Sequence, residues 1–211
     1  MSSNRLERLL ELRPYLYHFT ARENTGFLQE RRSLLCTNLL LGEAGADAAP
    51  SRRASKRAAR ISGADVIIRD QAPLYEANIE LQGGWSFNDL LHSLDSRVFF
   101  WPGSETGPID YGRRHFQRYE SETPLVLRVP FRALLRENPA QVPQLCKFNS
   151  GSPRYVNGRP SPRGPETFLP PDAYPFPFGT VVEITFLETV RLPNETERSD
   201  HYEGPWARFF T

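Results

Sequence analysis

Cysteine, methionine and long apolar runs are all scarce in this chain of 211 residues. Cys36 and Cys146 are too few for a disulfide framework, and no Cys-X-X-Cys or His-X-X-X-His spacing indicates a metal site. We therefore predict two reduced, buried thiols and no metal. No apolar run reaches the length of a membrane span, and the amphipathic N-terminus lacks the apolar core of a signal peptide. These absences predict a cytoplasmic protein without membrane contact.

A charge excess of either sign is also missing. The chain has 26 basic and 25 acidic residues and a net charge of +1, so binding to nucleic acid would have to rest on local patches. With 39% hydrophobic and 12% aromatic residues, the composition is that of an ordinary globular protein. The length favours one domain over residues 1–211, and 19 prolines favour short elements with many turns.

Hydrophobic periodicity and turn residues predict short helices alternating with short strands, without an internal repeat or a linker. This order indicates a single mixed α+β domain. The predicted helices are a leucine-rich segment ended by Pro14, a segment reaching about Arg31, an exposed basic helix over 51–60, and helices over 86–94, 111–119 and 131–137. The predicted strands are 15–19, 66–69, 97–101, 125–129 and 181–190, and the predicted loops are 42–51 and 149–165.

The segment from Tyr17 to Asn24 is the first candidate site. Thr20 to Glu23 has the pattern of a capping box, which predicts a helix starting directly after the strand. In such a strand–turn–helix, His18 could donate to a ribose hydroxyl, Thr20 could hold the neighbouring one, and the helix N-terminus favours phosphate. The alternative is that Thr20 only caps the helix, His18 lies in the core and Asn24 is a surface residue.

Glu166 is the second candidate, because it is the first acid after the long loop over 149–165. A carboxylate facing a cleft there could stabilise the oxocarbenium-like centre that forms when a glycosidic bond breaks, and could bind a ribose 2′-hydroxyl. The alternative is an exposed glutamate at the start of a strand.

A dinucleotide would also need a cation for its pyrophosphate and a flat partner for its rings. The arginines that could serve are Arg69, Arg97, Arg113, Arg114 and Arg163, and we favour Arg97 because it opens the aromatic strand. Its alternative role is an ion pair with Asp95 or Asp110. The strand Val98–Trp101 could stack on nicotinamide or adenine through Phe99, or could simply be core.

Two segments are locally basic, at 52–60 and at 154–163. In the second, Tyr155 could stack on a base while Arg154, Arg159 and Arg163 contact phosphates, which favours a nucleic-acid substrate. Both segments could equally be solvated, since the overall charge is nearly balanced.

Taken in order, these motifs resemble the DarT-type DNA thymidine ADP-ribosyltransferases. His18, Thr20 and Asn24 match the His-X-Thr-X-X-X-Asn block that binds the ribose and nicotinamide of NAD in that family. Val98–Trp101 is similar to its central Phe-Tyr-Phe strand, and the loop 149–165 stands in the place of its substrate-recognition loop. Glu166 follows that loop, as the family's catalytic glutamate does. The chain departs from the family's pattern around Trp101-Pro102-Gly103, which favours a sister family with a different acceptor.

The resemblance implies an ADP-ribosyltransferase-like fold, with two packed, mainly antiparallel sheets and flanking helices around an NAD cleft. It implies catalysis by Glu166 and Arg97, with NAD as co-substrate. The residues expected to bind NAD are His18, Phe19, Thr20, Asn24, Phe99 and Arg69, and those expected to bind the acceptor are Arg154, Tyr155, Arg159 and Arg163.

The function expected from this resemblance is transfer of ADP-ribose from NAD to a macromolecule, with a DNA base favoured, in a toxin-like protein. An antitoxin or an ADP-ribosylhydrolase would be its partner. The alternatives are an NAD glycohydrolase, a transferase acting on protein or on a small molecule, and an inactive binding module of the same fold.

Overall fold

The computed structural model describes residues 2–46, 51–155 and 157–210. The helices of this part are α1 (Ser2–Leu12), α2 (Thr25–Arg31), α3 (Thr37–Glu43), α4 (Phe87–Asp95), α5 (Asp110–Tyr119) and α6 (Phe131–Glu137). Single 3₁₀ turns lie at Arg22–Asn24, Glu76–Asn78, Glu120–Glu122, Pro165–Thr167 and Phe178–Thr180.

The strands are short, as the many prolines predict. They are β1 (Tyr15–Thr20), β2 (Ser33–Leu35), β3 (Arg57–Ile61), β4 (Ala64–Ile68), β5 (Ile79–Leu81), β6 (Arg97–Ser104), β7 (Gly107–Pro108), β8 (Leu125–Pro130), β9 (Gln144–Cys146), β10 (Ser161–Arg163), β11 (Glu183–Leu187), β12 (Thr189–Arg191), β13 (Glu197–Ser199) and β14 (Ala207–Arg208).

An antiparallel sheet forms the centre of the molecule, in the order β14-β13-β8-β1-β6-β11-β9, with β7 against β6. Three two-stranded sheets surround it: the hairpin β3–β4, the antiparallel pair β2–β12, and the parallel pair β5–β10. Helices and mainly antiparallel sheets in one chain confirm the predicted α+β class.

The central sheet forks between β1 and β6. These strands pair only where Tyr15–Tyr17 face Trp101–Gly103. Beyond that point β1 stays with β8 as far as Thr20, while β6 stays with β11 from Phe100 back to Arg97. The structure thus has one hydrogen-bonded sheet with two diverging arms, where the resemblance implied two separate sheets.

Helices cover the central sheet through their apolar faces. In α1, Leu9 and Leu10 are buried, and complete burial of such a side chain contributes about 1.5–3 kcal/mol. In α4 the predicted cap is present: Asp89 donates its backbone N–H to the Ser86 hydroxyl, and the Asp89 carboxylate accepts from the Ser86 N–H. Cys36 and Cys146 are free and buried, as predicted.

Most predicted elements are confirmed within one to three residues, but the N-terminal capping box is wrong. Thr20 is the last residue of β1, and a 3₁₀ turn starting at Arg22 precedes α2. The Thr20 hydroxyl instead accepts a hydrogen bond from the Asn24 amide at 2.9 Å. A side chain at this spacing can bond to another side chain as readily as to a backbone N–H.

The predicted basic helix over 51–60 is also wrong. This segment is irregular until Arg57 and then forms β3, in which Arg60 lies opposite Asp65 of β4 at 2.9 Å. Pairing with an apolar partner strand outweighs the local helix propensity here, because Ala59 and Ile61 are buried.

Three further boundaries differ from the prediction. β6 continues through Pro102 to Ser104, with the Pro102 carbonyl accepting from Ile109. The predicted strand over 181–190 is divided at Glu188, whose φ of 57° turns the chain into β12. α3 occupies the start of the predicted loop 42–51, of which residues 47–50 lie outside the described residues. The predicted loop 149–165 ends in β10, and its Val156 is likewise outside them.

Within the described ranges, no helix combines the length and the apolar composition that crossing a bilayer would require.

Candidate functional site: a cleft at the fork of the sheet

A cavity of about 290 Å³ opens where β1 and β6 diverge, and we call it the fork cleft. It is lined by both arms of the fork, by β4, by α5 and by the segment 149–152. Its size is near the lower end of the range for small-molecule sites. Divergence of two strands inside a sheet leaves backbone groups and side chains facing an open space, which explains why the cavity lies there.

Seven of the residues predicted to bind or act on NAD come together in the fork cleft. They are His18, Phe19, Thr20, Asn24, Arg69, Arg97 and Phe99. The sequence places them in four different elements, and the fork brings those elements to one cavity.

His18 bridges the two arms of the fork. Its Nδ1 lies 2.9 Å from the Phe99 carbonyl oxygen, at the first position where β1 and β6 no longer pair. A carbonyl can only accept, so Nδ1 carries the proton. Burial lowers the pKa of His18 to about 4, which keeps the ring neutral at neutral pH. The Nε2 atom is therefore an unprotonated acceptor.

Asn24 is buried and its amide is occupied by the protein. It donates to the Thr20 hydroxyl at 2.9 Å and to the Ile67 carbonyl at 3.0 Å, and it accepts from the Ile67 N–H at 2.7 Å. The side chain thus pairs with the backbone of β4 as a neighbouring strand would. Asn24 fixes the hairpin β3–β4 as a wall of the cleft, and its amide is not free for a ligand.

Aromatic rings form a second wall. Phe19 and His115 stack with ring centroids 5.8 Å apart and planes inclined by 15°, and His115 also contacts Trp101 and Tyr119. Burial, together with Arg69 and Arg118, lowers the pKa of His115 to about 3. This wall is therefore uncharged, and it offers ring faces to a flat ligand.

Two cationic side chains of the cleft keep unused hydrogen-bonding capacity. Arg69 lies 4.1 Å above the Tyr119 ring, and its Nη1 is 3.6 Å from a Glu122 carboxylate oxygen without forming a hydrogen bond. Arg97 donates to Gln144 at 2.6 Å while its buried Nε has no partner among the described residues. Burial lowers the pKa of Arg97 to about 10, so it remains charged at neutral pH.

The expected alternative for Arg97, an ion pair with Asp95 or Asp110, does not form. Asp95 is paired with Arg53 at 2.6 Å, and in the described part of the chain no carboxylate lies within 4 Å of the Arg97 guanidinium. The guanidinium lies 4.2 Å above the ring of Phe168.

Glu183 is a buried carboxylate that lines the fork cleft and was not singled out by the sequence. It stands at the start of β11 and accepts from the Ser150 N–H at 3.2 Å and from the Ser150 hydroxyl at 2.6 Å. Burial raises the pKa of Glu183 to about 7, against the opposing effects of Ser150 and Arg163. A buried acid with a raised pKa in a cleft is a common mark of a functional group.

Glu166 does not line the fork cleft. It is exposed in the 3₁₀ turn Pro165–Thr167 and faces a different cavity. In sequence order Glu166 follows the loop 149–165, as the resemblance implies, but β10 pairs with β5 and the next turn places Glu166 at that other cavity. The only sequence signal for Glu183 was a charged residue at the head of an otherwise apolar strand.

Arg163 is a correction to the expected exposed basic loop, because it is 1% exposed. Its guanidinium donates to the Ser161 hydroxyl and to the carbonyls of Pro162 and Asn149. These bonds hold the backbone beside Ser150 and leave the side chain inaccessible to an acceptor.

The other three predicted acceptor residues are exposed. Arg154 and Arg159 face solvent, and Tyr155 is 54% exposed with its hydroxyl donating to the Ala77 carbonyl at 3.1 Å. Gly151 and Ser152, which precede them, line the fork cleft. This exposed stretch therefore borders the cleft without entering it.

Comparison with known proteins identifies a family. The chain belongs to DUF7002, described as a family of unknown function, whose family model matches residues 14–194. The matched range contains both arms of the fork and all the cleft residues named above. No curated protein and no solved structure matches the chain.

Proposed function

We propose that this member of the DUF7002 family is an ADP-ribosyltransferase that cleaves NAD in the fork cleft and transfers ADP-ribose to a nucleic-acid base. The observation that carries the proposal is the meeting of a neutral histidine, a buried carboxylate and an uncharged aromatic wall in one cavity. We further propose that the forked sheet with its flanking helices is an ADP-ribosyltransferase-like fold.

His18 and the aromatic wall would hold the nicotinamide riboside half of NAD. The unprotonated Nε2 of His18 accepts a hydrogen bond from a ribose hydroxyl, while the Nδ1–H stays on Phe99. The nicotinamide ring stacks against the rings of Phe19 and His115, whose neutrality avoids repulsion of the cationic nicotinamide. Arg69, with its incompletely used guanidinium, contacts the pyrophosphate.

Glu183 is the carboxylate that we assign to the reaction. As the bond between ribose C1′ and the nicotinamide nitrogen breaks, nicotinamide leaves with the bonding electrons and positive charge develops on the ribose. An ionised Glu183 stabilises that charge. The acceptor nitrogen or oxygen then bonds to C1′ and loses its proton to solvent or to the carboxylate. Because the pKa of Glu183 is about 7, a large share of the protein carries the ionised form at neutral pH.

The acceptor surface is proposed to be the exposed stretch beside the cleft. Tyr155 and Tyr75 are both more than half exposed, and the Tyr155 hydroxyl bonds to Ala77, two residues after Tyr75. Arg52 lies 5.1 Å from the Tyr75 ring. Exposed aromatic rings among cations suit stacking of unpaired bases next to phosphates. An antitoxin or an ADP-ribosylhydrolase stays a proposal drawn from the resemblance alone.

The test is to incubate the protein with NAD labelled in its adenylate half, with DNA, RNA or cell lysate and without any acceptor. Nicotinamide release and transfer of label are measured together. We expect both in the presence of nucleic acid. Release without transfer would indicate an NAD glycohydrolase, and the absence of release under every condition would refute the proposal.

Matched glutamine variants locate the carboxylate. Glu183→Gln should lower turnover by about 10²–10³-fold, as removal of a preorganised charge-stabilising group does. Glu188→Gln, which changes an exposed residue between β11 and β12, should keep wild-type turnover. Loss of turnover in Glu166→Gln together with normal turnover in Glu183→Gln would return the catalytic role to the residue that the sequence predicted.

A further inference from the structure

A second cavity, of about 490 Å³, shares no lining residue with the fork cleft. It lies between β9, β10, the 3₁₀ turn Pro165–Thr167 and the segment 174–176. The residues that matter for its chemistry are Lys147, Phe148, Glu166, Tyr174 and Phe176. The proposed transferase reaction uses none of them.

Besides Arg163, whose guanidinium donates to three oxygen atoms of the protein, the second cavity is lined by one cation and one anion that are not paired with each other. Lys147 is half-buried, and in the described ranges its ammonium has no carboxylate within 4 Å. The Glu166 carboxylate has no cationic partner by the same measure, and the two side chains do not reach each other.

Aromatic rings lie next to the ammonium group of Lys147. The Lys147 Nζ lies 3.7 Å from the centroid of the Phe176 ring and 5.4 Å from that of Phe148. Phe176 is 39% exposed, and the buried Tyr174 supports it edge-on at 5.5 Å. The ammonium is thus held against ring faces, where an entering anion could reach it without displacing a carboxylate.

The walls of the second cavity are fixed before any ligand enters. Behind Phe148, the buried guanidinium of Arg163 lies 4.5 Å from the ring and is tied to three oxygen acceptors. At the other side, Gly83 has a φ of 63°, and a Cβ there would lie 2.7 Å from Pro165. This close approach holds the turn that presents Glu166. A preformed site loses less entropy on binding than one that must be ordered.

We propose that the second cavity binds an amino-acid-like zwitterion with an aromatic side chain. Its carboxylate pairs with Lys147, its ammonium pairs with Glu166, and its ring packs against Phe148 and Phe176. A zwitterion satisfies both unpaired charges at once, whereas a purely anionic or cationic ligand would leave one of them facing the cavity. This site is independent of the proposed transferase function, because no residue is common to the two cavities.

Isothermal titration of the full-length protein with L-phenylalanine tests the proposal. We expect saturable binding with one site, at millimolar affinity or better. 3-Phenylpropionate, which lacks the ammonium, and phenethylamine, which lacks the carboxylate, should each bind roughly tenfold more weakly, as loss of one charge-assisted hydrogen bond implies. Equal binding of all three compounds would reduce the site to an aromatic groove and overturn the proposal.

Charge-removing variants distinguish the two ends of the site. Lys147→Met should weaken phenylalanine and 3-phenylpropionate but leave phenethylamine unchanged, and Glu166→Gln should weaken phenylalanine and phenethylamine but leave 3-phenylpropionate unchanged. Lys56→Met, at the mouth of the fork cleft, is the matched control and should bind phenylalanine as the wild type does. Both site residues are at least partly exposed, so thermal unfolding should show intact folds. No phenylalanine binding by the wild type, or unchanged binding by both variants, would overturn the proposal.

Discussion

The stability of the Glu183→Gln variant relative to the wild type should increase as the pH rises. The pKa of Glu183 is raised from an ordinary value of 4.5 to about 7 because the side chain is buried. A raised pKa means that folding disfavours the ionised form. The stability that the protonated carboxyl group of Glu183 contributes is therefore fully present below pH 4.5 and is lost as the pH rises from 4.5 through about 7.

The size of the effect follows from the same values. At about 1.4 kcal/mol per pH unit, ionising Glu183 in place costs the folded protein on the order of 3 kcal/mol. Glutamine has a similar shape, can keep an acceptor for the Ser150 N–H and does not ionise. The free energy of unfolding of Glu183→Gln, minus that of the wild type, should therefore rise by about 3 kcal/mol between about pH 4.5 and about pH 8.

Urea unfolding of both proteins, followed by tryptophan fluorescence at a series of pH values, measures this difference. The two histidines with lowered pKa values, His18 and His115, change the stability of both proteins in the same way and cancel in the subtraction. Glu188→Gln, on an exposed turn, should run parallel to the wild type throughout. A constant difference between Glu183→Gln and the wild type across this range would refute the argument that burial controls this carboxyl group.

Three other perturbations test the cleft walls and the packing around them. Asn24→Ala leaves the N–H and C=O of Ile67 without partners and should cost about 2–3 kcal/mol in urea unfolding, with faster hydrogen exchange at Ile67; normal exchange there would argue against its holding role. Gly112→Ala puts a Cβ 2.7 Å from a proline carbon and should lower the free energy of unfolding by about 1–3 kcal/mol. Gly26→Ala, at an exposed helix position with open space around it, should raise the free energy of unfolding by about 0.5–1 kcal/mol. Equal effects of the two substitutions would contradict the packing argument. The wild type should lose stability as the pH falls from 6.5 towards 3, because His115 binds a proton more readily in the unfolded than in the folded protein, and His115→Phe should lessen this loss. An unchanged acid dependence of unfolding in the variant would show that His115 is not held neutral.

Local signals in the sequence predict the elements of the fork but not the fork itself. The strand ending at Thr20 and the aromatic strand starting at Arg97 are both visible as apolar runs with clear ends. Whether they pair along their whole length depends on where β8 and β11 lie, since β8 pairs with the other edge of β1 and β11 with the other edge of β6. Periodicity carries no information about these pairings between distant segments.

The candidate site shows the same limit. His18, Arg69 and Phe99 could be selected because the residue types suit a dinucleotide and each lies in a predicted strand. Glu183 at the start of β11 lines the fork cleft and Glu166 does not, because the pairing of β10 with β5 places the turn Pro165–Thr167 at the second cavity. The same pairing distinguishes two arginines of one basic stretch. Arg163 lies in β10 and is buried, whereas Arg159 precedes this strand and is exposed.

Each of the two cavities is lined by one lysine, whose amine can be modified by a chemical reagent. Of the 26 basic residues only Lys56 and Lys147 are lysines, and one lines the fork cleft while the other lines the second cavity. An amine-reactive reagent followed by peptide mass spectrometry would therefore record the occupancy of both cavities in one measurement. Protection of Lys56 by a dinucleotide and of Lys147 by an amino acid would appear as two separate signals, without a substitution anywhere in the chain.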